Sequence, residues 1–184
     1  MIIKLREIPL IILQLEALDG RLPVNHEKKE LVARHLLNRW TGFRGEQSVD
    51  YALSFLGEDE LYIFQGIRLF DGQHYFQIDN LLISKKFVLI LEVKRIAGIL
   101  QFSPDFKQLT RITKDNDREP FPDPVTQVEM HKFQLTKWFK SNNMHPFPIE
   151  TLVVSTSQKA ILETSPGDKT IPEKVIHKDY LHFK

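Results

Sequence analysis

Asp79, Glu92 and Lys94 are charges set inside two apolar runs, "QIDNLLI" and "FVLILEVKRI". Each run has the composition of a buried strand, where an unpaired charge costs several kcal/mol. The three charges therefore need partners, solvent or a ligand. Side chains on a strand alternate faces, so Glu92 and Lys94 project from one face together with Val88 and Ile90. Leu89, Leu91 and Val93 point the other way. A tight turn at "SKK" folds the preceding run alongside and brings Asp79 beside Glu92. Two carboxylates on neighbouring strands form an oxygen donor set suited to a hard divalent cation such as Mg2+. Such an ion lowers the pKa of a bound water and stabilises charge on a scissile phosphate. An ammonium beside it, that of Lys94, can position the attacking water or neutralise developing negative charge. The same residues also read more simply, as a Glu92–Lys94 ion pair at a strand end with a solvated Asp79.

The flanking chain indicates what positions these residues. "NHEKKELVARHLLNRW" sets Leu31, Leu36, Leu37 and Trp40 at helical spacing, and Gly42 interrupts the pattern. "GEQSVDYALSFLGEDE" resumes it through Val49, Ala52, Leu53 and Leu56, with Gly57 as the stop. "LYIFQGIRLF" and "HYFQIDNLLI" form a hairpin about Asp71-Gly72, and "FVLILEVKRI" is the third strand. A smaller hairpin of "ILQF" and "QLTRIT" follows, and "KDNDREPFPDP" reads as a loop. Pro124 opens a helix whose apolar stripe is Val128, Phe133, Leu135 and Trp138. "PIETLVVST" is a fourth strand, and the remaining residues hold a short edge strand or helix. The order α-β-β-β-α-β predicts an α/β fold, a mixed sheet flanked by helices. The third strand is apolar on both faces until its C-terminal end, as a central strand is, so its charges fall where a crevice can open.

Four blocks in this order, "GFRGEQ" at 42–47, "FQIDNLLIS" at 76–84, "LILEVKRIAG" at 89–98 and "PVTQ" at 124–127, resemble the nuclease-related domain (NERD) of the PD-(D/E)xK nuclease superfamily. The resemblance runs from about Gly42 to Thr156. It implies a restriction-endonuclease-like core with extra N-terminal helices, in which Glu46 joins Asp79, Glu92 and Lys94 at the site. Glu46, Asp79 and Glu92 are then the ligands of Mg2+ or Mn2+, directly or through water, Lys94 the catalytic residue that assists the nucleophile, and Gln127 an auxiliary polar residue. Taken alone, Glu46 is an acid in a first helical turn, where it favours the dipole, and Gln127 a capping or solvent-facing residue. Arg95 stands where the family commonly has Asn. It should face away from Lys94, so this departure leaves the metal site as it is. The implied segments are 1–40, a helical segment packing on the core; 41–160, the nuclease-like core; and 161–184, a C-terminal extension. The end at "DYLHFK" reads as a truncation or as the edge of a longer protein.

Composition narrows the alternatives. The chain has 184 residues, no Cys and a formal net charge of +1. That removes disulfides, thiolate zinc sites and Cys nucleophiles, and fits a reducing cytoplasm. Global charge gives no sign of nucleic-acid binding, but residues 85–140 carry eleven Lys and Arg against seven Asp and Glu. The N-terminal "IPLIILQL" is shorter than the roughly twenty apolar residues a spanning helix needs, so no membrane partner is expected. The seven His lack metal-ligand spacing. His131, four residues after Gln127, shares its helix face as a candidate substrate contact. Nucleotide-binding glycine patterns and a nucleophile elbow are missing. A carboxylate-pair glycosidase gives Lys94 no role. Two functions stand: a metal-dependent nuclease, with DNA the expected substrate, and a catalytically silent nucleic-acid-binding or protein-interaction module on the same fold. A homodimer or an additional domain beyond the chain end is the further partner expectation.

Overall fold

The computed structural model describes residues 1–56 and 61–183, so the helix stop expected at Gly57 lies outside the described residues. Two sheets organise the molecule. The larger has six strands in the order β1-β2-β3-β4-β8-β10: β1 (Ile2–Lys4), β2 (Tyr62–Phe70), β3 (Tyr75–Ile83), β4 (Val88–Lys94), β8 (Ile149–Ser155) and β10 (Val175–His177). The smaller has the order β7-β6-β5-β9: β5 (Gly98–Ser103), β6 (Gln108–Ile112), β7 (Arg118–Phe121) and β9 (Ala160–Glu163). The helices are α1 (Leu10–Arg21), α2 (Lys29–Gln47), α3 (Asp50–Leu53), α4 (Pro124–Ser141) and α5 (Thr170–Lys174), followed by a 3-10 helix at Lys178–Phe183. The fold is mixed α/β, as the α-β-β-β-α-β order predicts.

β2, β3 and β4 are antiparallel neighbours, while β4 pairs in parallel with β8 from Val88↔Ile149 to Lys94↔Ser155. β4 is therefore central, and its alternation is the expected one. Val88 and Ile90 join an apolar layer with Ile78, Val128, Leu135 and Val153 under α4 and the smaller sheet. Leu91 and Val93 enter a second layer with Leu53, Leu152, Val154 and Leu181 under α3 and the 3-10 helix. Each such side chain contributes about 1.5–3 kcal/mol through burial. Asp71 builds the β2–β3 turn as expected, its Oδ1 accepting from the backbone N–H of Gln73 (2.9 Å) and His74 (2.8 Å). Asp123 caps α4 by accepting from Val125 N and Thr126 N, with Pro124 in the first turn.

Four local expectations are corrected. Gly42 does not interrupt the helix, since α2 runs from Lys29 to Gln47. The glycine costs about 1 kcal/mol against alanine, and burial of Val32, Phe43 and Gly45 on the same helix offsets it. The α2 stripe also differs, because Leu37 is exposed. On α4, Val128, Leu135 and Phe139 are buried and Phe133 is exposed. Phe133 lies two residues before Leu135, about 200° around the helix from it. Finally, the stretch read as a loop contains β7, an edge strand, where Pro120 opposite Thr110 needs no outward ladder bond.

Candidate active site

The β3–β4 ladder stops at Asn80↔Leu91. One step further, Asp79 Oδ2 accepts from the backbone N–H of Val93 at 3.0 Å, so a carboxylate takes over where backbone pairing ends. The cause is a break in alternation. Ile78 and Leu81, three residues apart, reach the same apolar layer, whereas a regular strand would send them to opposite faces. Across the hairpin Gly66 has φ +59°, a left-handed conformation that glycine adopts without strain. Asp79 is thereby set beside Glu92, as the turn geometry predicts.

Glu92 and Lys94 leave β4 on the α4 face. Lys94 Nζ donates to Glu92 Oε1 at 2.8 Å and to Gln127 Oε1 at 2.9 Å. The expected ion pair is thus present, but a residue of α4 orients the ammonium as well. Asp123 and Pro124 fix the start of α4, and that places Gln127 in its first turn. The Glu92 side chain is only 4% exposed. Its Oε2 is buried with no hydrogen-bond partner among the described residues. His131 lines a shallow pocket with Gln127. Burial and the nearby Lys94 charge lower its pKa, which favours a neutral ring.

Glu46 completes the acid cluster from the last turn of α2. This corrects its expected place in a first turn: at a helix C-terminus the dipole disfavours an anion. Burial, and then the charge of Asp79, raise the Glu46 carboxyl to about 7, against the pull of Arg6. Asp79 is raised to about 7 by burial and then by Glu92. Glu92 is raised by burial, with Lys94 opposing and Glu46 adding. Three acids that raise one another's pKa form an electrostatic neighbourhood in which added positive charge is favourable.

The residue sequence reasoning missed is Arg6. β1 runs parallel to β2 and carries the chain past Gln65, whose Oε1 accepts from Arg6 N at 2.9 Å. The Arg6 side chain is 4% exposed. Nη1 donates to Glu46 Oε2 at 2.5 Å, and Nη2 to Asn80 Oδ1 at 2.9 Å, with Asp50 Oδ1 at 3.5 Å. One signal pointed this way: Glu46 and Asp50 are like charges four apart, at the end of α2 and the start of α3, and such a pair calls for a counter-ion.

Among the described residues no group of three or more His, Asp or Glu is disposed to hold a metal ion. Asp79 and Glu92 remain as a two-carboxylate set, with the unpartnered Glu92 Oε2 as a ready ligand atom. That donor set suits Mg2+, which takes one or two carboxylates and keeps its waters. Elsewhere, a cleft of about 880 Å³ opens at the C-terminal ends of β4 and β8. Arg95, Arg111, Lys159 and Lys178 line it without a single carboxylate. An apolar cavity of about 440 Å³, lined by Leu53, Leu82, Leu91 and Leu152, belongs to the second core layer and lies apart from the acids.

The model of one protein family, described as nuclease-related domain, matches residues 41–156. The match includes Glu46, Asp79, Glu92, Lys94 and Gln127 and leaves Arg6 outside. No curated protein and no solved structure matches the chain.

Proposed function

The chain belongs to the nuclease-related domain family of the PD-(D/E)xK-like nuclease superfamily, and from that footing we propose that it is a metal-dependent phosphodiesterase that hydrolyses nucleic acid, with DNA as the substrate. The observation that carries the reading is Lys94 Nζ, held between Glu92 Oε1 and Gln127 Oε1 beside Asp79 and the unpartnered Glu92 Oε2. Asp79 and Glu92 are the residues that hold Mg2+ or Mn2+, with Glu46 reaching the ion directly or through water. When bound, the ion supplies Lewis acidity to the scissile phosphate and lowers the pKa of a water. Lys94 places its ammonium where negative charge develops on the phosphate, and its two fixed acceptors remove the freedom that would blunt it. Gln127 is the second of those acceptors, a positioning residue. His131, kept neutral, offers a polar contact one helical turn away.

The carboxylate-free cleft supports a nucleic-acid partner. Arg95 leaves β4 on the face opposite Lys94. Arg95, Lys159 and Lys178 have no ion-pair partner among the described residues, while Arg111 is paired with Glu119 at 3.1 Å. Free cations beside hydroxyls are the elements of a phosphate-backbone contact. The silent-module reading is favoured by one observation: Arg6 already neutralises Glu46. Purified protein with Mg2+ or Mn2+ is expected to nick supercoiled plasmid, and Asp79→Ala and Lys94→Ala to abolish nicking. Nicking that persists in both variants refutes the site. Metal-independent DNA binding without nicking would establish the silent module instead.

A further inference from the structure

Arg6 lies outside the matched region, and the function proposed above gives it no task. Its placement is nevertheless built rather than incidental. The backbone is fixed by Arg6 N on Gln65 Oε1 and by the preceding strand on β2. Lys4 Nζ ties down the same stretch by donating to Gln65 O at 3.0 Å. The guanidinium spans two elements, with Glu46 and Asp50 on the helical side and Asn80 Oδ1 and Asp79 O on β3. Gln65 Nε2 closes the network by donating to Asp50 Oδ1 at 2.9 Å. A planar fork is suited to such bridging, and a lysine in its place could satisfy only one end.

This network divides the three acids. Glu46 has a buried, hydrogen-bonded counter-charge at 2.5 Å. Glu92 keeps one oxygen without a partner among the described residues. A divalent ion that took Glu46 as a direct ligand would have to share the carboxylate with the buried Arg6 guanidinium on Oε2 and set its own charge close to that cation, which is costly. An ion that took Asp79 and Glu92 would meet the free Glu92 Oε2 and leave the Arg6–Glu46 pair intact.

We propose that Arg6 is a positioning residue that holds Glu46 as its own counter-ion, so that a divalent ion at this site is ligated directly by Asp79 and Glu92 while Glu46 is kept to water-mediated contact. This rests on the metal-site reading above. Arg6 thus stands in for a second metal ion, and the N-terminal strand becomes a working part of the site. A nuclease-like core deprived of that segment would leave Glu46 without its counter-charge and bind divalent ions more tightly.

The test is Mn2+ binding by the full chain, followed by titration calorimetry with no nucleic acid present. Wild type, Arg6→Gln, Glu46→Gln and the double variant form a cycle. Freeing Glu46 by Arg6→Gln is expected to tighten Mn2+ binding on the order of fivefold or more, and Glu46→Gln in that background to reverse the gain. With Arg6 in place, the Glu46→Gln step is expected to change affinity by less than about twofold. Arg6→Lys, which keeps the charge but loses the fork, should show a smaller gain and serves if Arg6→Gln does not fold. Equal or weaker Mn2+ binding in both Arg6 variants overturns the proposal, as does a loss in Glu46→Gln matching that in Asp79→Asn. Wild-type protein that binds no Mn2+ overturns the metal-site reading itself, and this inference with it. Binding abolished by Asp79→Asn upholds the metal-site reading, and the Arg6→Gln gain with its reversal by Glu46→Gln upholds the inference as well.

Discussion

In metal-free protein, raising the pH should destabilise the fold, and Asp79→Asn should remove a substantial part of that effect. Burial and the Glu92 charge move the Asp79 carboxyl from its ordinary 3.8 to about 7. A folded-state pKa above the unfolded value means that the native state binds the extra proton between those two values. Stability is therefore fullest below about pH 4 and declines as pH rises to about 7. At ~1.4 kcal/mol per pH unit, Asp79 accounts for about 4 kcal/mol. Glu92 and Glu46 are raised as well and act in the same direction. His131, whose pKa is lowered by burial and Lys94, acts oppositely below about pH 6.5. Asp71, held low by backbone donation from His74 and Gln73, acts only below the window. Urea unfolding in EDTA at pH 5 and pH 8 measures the difference. With a slope near 2 kcal/mol per molar, Asp79 alone should lower the midpoint by about 1–2 M over that interval, and Glu46 adds to the fall. Asp79→Asn should make the profile shallower and exceed wild type at pH 8, and Mn2+ should restore wild type at pH 8 without helping the variant. A wild-type midpoint that rises from pH 5 to pH 8, or an unchanged slope in Asp79→Asn, refutes the crowded-acid account.

Gln127→Ala should slow single-turnover nicking by about 10- to 100-fold with little change in thermal midpoint, because it releases only one of the two acceptors that orient Lys94. Gly45→Ala sets a Cβ 2.8 Å from Arg95 Cβ and 3.3 Å from Thr156 Oγ1. That clash should push α2 off the sheet at a cost of about 1–3 kcal/mol, read as a fall of several degrees in Tm by calorimetry. Replacing Arg95, Lys159 and Lys178 by Gln should weaken DNA binding in fluorescence anisotropy and reduce the salt slope by about 1 per cation removed. An unchanged slope would move the DNA path elsewhere.

The geometry of Asp79, Glu92 and Lys94 was legible because a two-residue period and a short turn fix both face and neighbourhood. Why Asp79 stands out of the ladder was not, since that depends on Gly66 opposite it on another strand. The family resemblance found Glu46, but its helical position was misread at Gly42, where packing of Phe43 and Gly45 outweighs a propensity cost near 1 kcal/mol. Arg6 left no local trace. Its role comes from the pairing of β1 with β2, some sixty residues on, and only the acids Glu46 and Asp50 hinted at a missing cation. β7 was hidden by prolines that exclude a central strand but are compatible with an edge.

The central claim is that Asp79 and Glu92 form a divalent-cation site beside Lys94. Anomalous diffraction from a crystal soaked in Mn2+ tests it most directly. The account predicts one peak between the Asp79 and Glu92 carboxylates, bonded to Glu92 Oε2, with Arg6 still on Glu46. A peak elsewhere, or none with both carboxylates ordered, would contradict it.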